Sequence, residues 1–395
     1  MSNLRHDGVI EMGHKSGQTS SRRLNFFLPF LFGAIQACSV PFLYWLRSST
    51  LLEKVEQLDQ LLSRLSTPLL LFIFAGTIAV LVKSADRLVH AAVTLSEAWA
   101  LPKVVIGATV VSLGTTTPEA AVSVLAAVRG NPGLALGNAV GSVICDTGLI
   151  LGLSCLLGQL PLEHSILRRQ GRVQLASGIL LVLACFPWTA PQSVFTRGGQ
   201  LPQPIGIVFL ILLLIYLRQS VLWASREKKS FPLDELEDRQ DASLVLILTK
   251  LLGAIILVIG SSHILVATAV ETADRFHVPE SVIAATIVAF GTSLPELVTA
   301  ITAVRRKHGD LAIGNVIGAD ILNVLFVAGA AASVTSGGLE VQPHFFTLLF
   351  PAMLGILVTF RLGIYYSGKT FRRSFGLLLL LFYLLATVLS YGQSL

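Results

Sequence analysis

Charge is what this 395-residue chain lacks most: Asp, Glu, Lys and Arg make up only 13% of it, against about 25% in soluble domains. Two or three water-facing globules of about 150 residues each could not be clothed with so few charges, which excludes soluble enzymes. Cysteine is scarce too. Cys38, Cys145, Cys155 and Cys185 all lie in apolar stretches, and no two form a CxxC pair. That excludes a disulfide framework and a zinc site, and the four read as small apolar fillers. Neither an HExxH helix nor a Ser-His pair facing an acid is found, so an intramembrane hydrolase lacks its machinery and no enzyme is expected. A net charge of +6 could suit a nucleic acid, but a membrane protein needs cationic flanks anyway, and no nucleic-acid partner is expected.

Apolar sequence is what the chain has in abundance. Hydrophobic residues reach 53%, in many stretches near the roughly 20 residues a spanning helix needs. The fold expected is an all-α polytopic membrane protein, with the lipid bilayer as its medium. Residues 1–24 read as a polar N-terminal tail. Residues 25–46 read as an extra transmembrane helix, because the run is long for the roughly 7–15-residue core of a signal peptide and lacks a small-x-small exit. Ten core spans are expected near 68–90, 104–128, 133–157, 173–190, 204–224, 243–268, 281–304, 310–334, 345–362 and 374–391. Lysine and arginine orient them. With the N-terminus cytoplasmic and sides alternating, 22 of the 29 positive residues fall inside, including Lys83, Arg87, Arg168, Arg169, Arg172 and Arg305 to Lys307. Lys83, Ser84 and Asp86 then read as a cytoplasmic helix end. Residues 225–242 read as a cytoplasmic linker between a first five-helix half, 68–224, and a second, 243–391.

The chain repeats itself at an offset of 177. VIGATVVSLGTTTPE (Val105 to Glu119) pairs with VIAATIVAFGTSLPE (Val282 to Glu296), and LALGNAVGSVICD (Leu134 to Asp146) with LAIGNVIGADILN (Leu311 to Asn323). Of the 43 positions from Val104 to Asp146, 17 are identical in the second copy. Five spans separate the copies, so they insert in opposite orientations. The layout is ten core helices in two inverted five-helix repeats, and such repeats place a substrate site at midplane.

Acids define that site. Glu119 and Glu296 fall mid-span, where an ionised group costs about 2.5–3.5 kcal/mol or more and needs a partner or a pathway. Ser112, Thr115, Thr116 and Glu119 share one helix face by i, i+3, i+4, i+7 spacing, as do Ala289, Thr292, Ser293 and Glu296. Pro118 and Pro295 cannot donate to the carbonyls of Gly114 and Gly291 and push those turns open. Hydroxyls, freed carbonyls and a carboxylate thus gather twice, an all-oxygen cage suited to calcium or sodium rather than copper or zinc. Asn138, Ser142 and Asp146 add a polar stripe matched by Asn315, Ala319 and Asn323. Gly137, Gly141, Gly314 and Gly318 leave a face bare for close helix approach. Asp320 lies off that stripe, beside the centre. His263 matches Asp86 and is expected at a helix end or in a polar contact. The remaining histidines, His90, His164, His277, His308 and His344, are expected solvated near span ends.

With these motifs the chain resembles the calcium/cation antiporter superfamily, and most closely its prokaryotic sodium/calcium exchangers. GTTTPE and GTSLPE resemble the family's GTSxPE; GNAVGSVICD and GNVIGADILN resemble its GNxxGSNxxN/D. The resemblance implies calcium held between Glu119 and Glu296, with carbonyls from Thr115, Thr292, Ser112 and Ala289. It implies sodium at the hydroxyls of Thr116, Ser293 and Ser142, with Asp146 and Asn323 flanking the centre. No cofactor is implied; calcium and sodium are the transported ions. The protein is expected to work as a monomer in a prokaryotic inner or plasma membrane. Departures are Ala319 where serine is expected, Thr116 for serine, polar Thr117, and Val143 and Asp320 where asparagines are expected. They leave the counter-ion open. The expectation is calcium/sodium antiport by alternating access, with proton-coupled or potassium-dependent antiport as the alternative and a passive divalent-cation channel behind it.

Overall fold

A computed structural model describes residues 60–162, 165–227, 244–276 and 291–392, and helix dominates them. The expected tail, the extra helix 25–46, most of the linker 225–242 and residues 281–290, with Ala289, lie outside the described residues. The helices are α1 Thr67–Trp99, α2 Lys103–Thr115, α3 Thr117–Val128, α4 Pro132–Leu157 and α5 Ser165–Cys185. They continue as α6 Gln203–Glu227, α7 Leu244–Arg275, α8 Leu294–Arg305, α9 Gly309–Val334, α10 Phe345–Tyr366 and α11 Arg373–Gly392. Seven of them are long and apolar enough to cross a membrane, or eight if bent α2 and α3 count as one span.

The bend lies where proline predicts it. α2 and α3 meet at 44° around Thr116, two residues before Pro118. Their partner in the second repeat is described only from Gly291, and α8 likewise starts with Pro295 in its first turn. Two expected boundaries are corrected. α1 continues through Lys83, Ser84, Asp86 and His90 to Trp99, so these residues are mid-helix. At about 1.5 Å per residue Asp86 still sits some 29 Å along the axis, one bilayer core from Thr67. α5 begins at Ser165, eight residues before the expected 173, so Arg168, Arg169 and Arg172 lie on helix rather than in a loop. Good helix formers such as Leu, Arg and Gln carry the helix past the apolar run. His263 lies within α7 on an exposed face, not at its end.

Packing is organised around α9. Every residue from Gly309 to Leu322 except Asp310 is buried. Its glycines admit α2: Gly314 rests on the Val104 backbone and Gly318 on Ala108 and Ser112, while Gly107 of α2 rests on Leu311 and Asn315. Among the described residues Gly137 meets only the Phe345 ring, and nothing lies within 4 Å of the Gly141 Cβ position. α1 and α7 pack along each other, fastened at one end where Arg275 donates to Thr67 Oγ1 at 3.1 Å and to the Ser63 carbonyl at 3.0 Å. α7 also crosses both break points: Ile255 presses on Gly114, and Val266 on Gly291. Between loops, β1 (Gly199–Leu201) pairs antiparallel with β2 (Leu339–Val341), and Pro161 bridges Thr370.

Candidate functional site

Two helix starts bring the acids together. Glu119 sits in the first turn of α3 and Glu296 in the first turn of α8, where unpaired backbone N–H groups and the positive end of the helix dipole favour a carboxylate. Each is 1% exposed. Across the repeats, Thr116 Oγ1 donates to Glu296 Oε1 at 3.3 Å. The Thr115 hydroxyl bonds back to the carbonyls of Val111 and Ser112 at 3.2 and 3.4 Å, and the Glu296 charge acts on Glu119. Both Glu119 oxygens and Glu296 Oε2 are buried without a hydrogen-bond partner among the described residues. Buried carboxylate oxygens left open in this way are strongly unfavourable unless a cation or proton answers them.

The second hairpin arms complete the floor. Asn323 Nδ2 donates to Asp146 Oδ2 at 3.2 Å, joining the two flanking residues across the repeats. Both lie in π-helical turns, Ile144–Leu151 in α4 and Asn323–Ala328 in α9. Such wide turns inside α-helices gather at functional sites. Asn138 holds the centre from one side, donating to the Glu119 carbonyl at 3.2 Å and to Ser123 Oγ at 3.0 Å.

The expected residues thus divide. Glu119, Glu296, Thr115, Thr116, Asp146 and Asn323 converge, and Ser293 is buried with them. Ser142 is buried one turn before Asp146. Ser112 lies under Gly318, and half-buried Thr292 turns its hydroxyl to Asn138 Oδ1 at 3.5 Å. Cys145, expected as apolar filler, is free and buried next to Asp146. Cys155 and Cys185 are free and buried, as fillers should be, while Cys38 lies outside the described residues. Among the described residues no three His, Cys, Asp or Glu side chains come close enough to hold a metal by themselves. A cation here would draw on hydroxyl and carbonyl oxygens besides a pair of carboxylates, the donor set that suits calcium or sodium.

Known proteins resemble this chain along most of its length. The profile of the family described as sodium/calcium exchanger protein matches residues 69–222 and 246–392. Inner membrane protein YrbG of Escherichia coli is 33% identical over 303 residues, covering 75% of this chain and 89% of that protein. The sodium/calcium exchanger MaX1 of Methanosarcina acetivorans is 28% identical, covering 77% of this chain and 93% of its own. A solved structure of the sodium-calcium exchanger NCX_Mj, soaked with sodium and strontium, superposes with a TM-score of 0.69 at 27% identity. That match spans 82% of this chain and 99% of NCX_Mj. Apolar spans and relatives named as membrane proteins make this an integral membrane protein. With most of its length matched by the family profile and by these relatives, the chain belongs to the sodium/calcium exchanger family.

Proposed function

We propose that the protein exchanges calcium for sodium across its membrane by alternating access at one midplane site. The meeting of Glu296 with Thr116 carries this reading, because it brings the broken turns of the two repeats onto a single centre. Glu119 and Glu296 would hold calcium, helped by carbonyls of Thr115, Thr292, Ser112 and Ala289. Sodium would use Thr116, Ser293 and Ser142, with Asp146 and Asn323 setting the flanks. Calcium and sodium then compete for the same carboxylates and cannot both occupy the centre. An empty centre keeps costly charge in low dielectric, so the change of access proceeds only when it is filled.

Ten core spans in two inverted halves fit the loop contacts. β1 with β2, Pro161 with Thr370, Arg275 with Ser63, and Lys103 with His308 each join segments that this layout puts on one face. The pair α1 and α7, crossing both break points, is suited to slide past the hairpins and open one side at a time. A cytoplasmic N-terminus, a prokaryotic inner membrane and a working monomer complete the proposal. One observation favours proton coupling as the second reading: fully buried Ala319 offers no hydroxyl where the family pattern has serine.

Proteoliposomes loaded with sodium and diluted into labelled calcium test this. Calcium accumulates in the wild type and not in Glu119→Gln or Glu296→Gln. Accumulation driven by a proton gradient alone selects the second reading, and calcium entry without any counter-ion overturns both.

A further inference from the structure

A fourth acid lies in the membrane apart from the glutamates. Asp320, twelfth residue of α9, is 1% exposed. Its Oδ2 accepts from the Thr147 hydroxyl of α4 and from Gln174 Nε2 of α5. Gln174 Nε2 also donates to Thr147 Oγ1 at 3.0 Å, which closes a three-residue ring. Two neutral side chains hold Asp320 Oδ2, and the only acid charge that acts on it among the described residues is that of Asp146, not of either glutamate. Asp146 stands between the two regions, close enough to feel the Asp320 charge.

Polar atoms remain open around this ring. Asp320 Oδ1 is buried with no partner among the described residues, and so are both amide atoms of Gln170, which is 0% exposed. Gln170 precedes Gln174 by four residues and shares its face of α5. An unanswered carboxylate oxygen and an unanswered amide oxygen on adjoining helices are hard donors. A donor set with one carboxylate, Asp146 being engaged by Asn323, matches a monovalent ion; a divalent one would need more charge to replace its water. Calcium between Glu119 and Glu296 would leave Asp320 untouched.

We propose that Asp320, Thr147, Gln174 and Gln170 form a separate site for one monovalent alkali cation, which remains filled while calcium occupies the glutamate centre. Occupancy of this site stands independently of the exchange reading; its part in transport rests on that reading. An alkali ion riding with each calcium would change the charge moved per cycle.

Purified protein saturated with calcium is equilibrated with labelled sodium, and in a parallel arm with labelled rubidium as the larger-ion probe. Bound ions are counted after rapid desalting. Wild type retains one alkali ion per chain; Asp320→Asn and Thr147→Val retain none. Asparagine is the residue the family pattern carries at 320, so that variant keeps its fold, checked by gel filtration. Retention in either arm supports the site and tells which ion it prefers. An equal count in wild type and both variants overturns it. So does a count of zero in wild type, with a proton taken up at Asp320 instead. Wild type that retains the ion yet fails to accumulate calcium under a sodium gradient removes the exchange reading and leaves this site standing.

Discussion

Gly318→Ala tests how tightly the two repeats are locked. A Cβ at Gly318 would lie 2.5 Å from Ala108 Cα, 2.6 Å from its carbonyl oxygen and 2.5 Å from Ser112 Oγ. Carbon atoms prefer about 3.5–4.0 Å, so α2 and α9 must part by roughly 1 Å. α9 has no free side to retreat to, since Gly309 to Leu322 is buried except for Asp310. Two of the three contacts are backbone and cannot rotate away, which places the cost in the upper part of the overpacking range, about 2–3 kcal/mol. At roughly 2 °C per kcal/mol, the low end that suits a long chain, Tm in detergent should fall by about 4–6 °C. Ser112 moves as well, so calcium binding should weaken. Gly76→Ala in α1 is the control: nothing lies within 4 Å of its Cβ position among the described residues, and its Tm should match wild type. If Gly318→Ala melts and binds calcium like wild type, the repeats are not in backbone contact there and the packing argument fails.

Three further outcomes are expected. Ala319→Ser restores a hydroxyl where the family pattern has one and should tighten sodium binding by about 1 kcal/mol, roughly fivefold, read as the sodium concentration giving half-maximal calcium release. His308, at the start of α9, has its pKa lowered by burial and by Lys103, whose Nζ lies 3.2 Å from its Nδ1. Its contribution to stability is therefore complete above the unfolded histidine range and is lost as pH falls through the lowered folded value; melting curves from pH 7.5 to 5 should show this loss in wild type and less of it in His308→Gln. Arg306 binds Asp86 through Nε and Nη2 on an open surface, so removing either side chain should cost no more than about 1 kcal/mol, and the difference should vanish in high salt.

The acids were legible in the sequence because lipid makes them costly: only a pathway or a partner explains Glu119 and Glu296 next to Pro118 and Pro295. The bend followed from proline's missing N–H, and seven of the spans followed from the length of apolar runs. What escaped had no such constraint. α1 continues to Trp99 because its last two turns carry helix-forming residues outside the apolar stretch, and α5 begins early for the same reason. The π-helical turns at Asp146 and Asn323 change the side-chain step without changing composition, so the i+4 stripe drawn through Asn138, Ser142 and Asp146 describes a straight helix that the chain does not keep. Asp320 was seen as a residue beside the centre. Its hydrogen-bond partners, Thr147 and Gln174, lie more than a hundred residues away, and only the fold reveals them.

The enclosure of α9 bears on how the molecule is assembled. A helix surrounded by its own chain has no stripe to offer the oil, so it must leave the translocation machinery and be threaded among α2, α4, α5 and α6 that arrived before it. Cysteines introduced anywhere along Ile313 to Leu322 should escape membrane-soluble maleimides in the finished protein, and equally in chains truncated before α10, because the helices of that sheath all precede it.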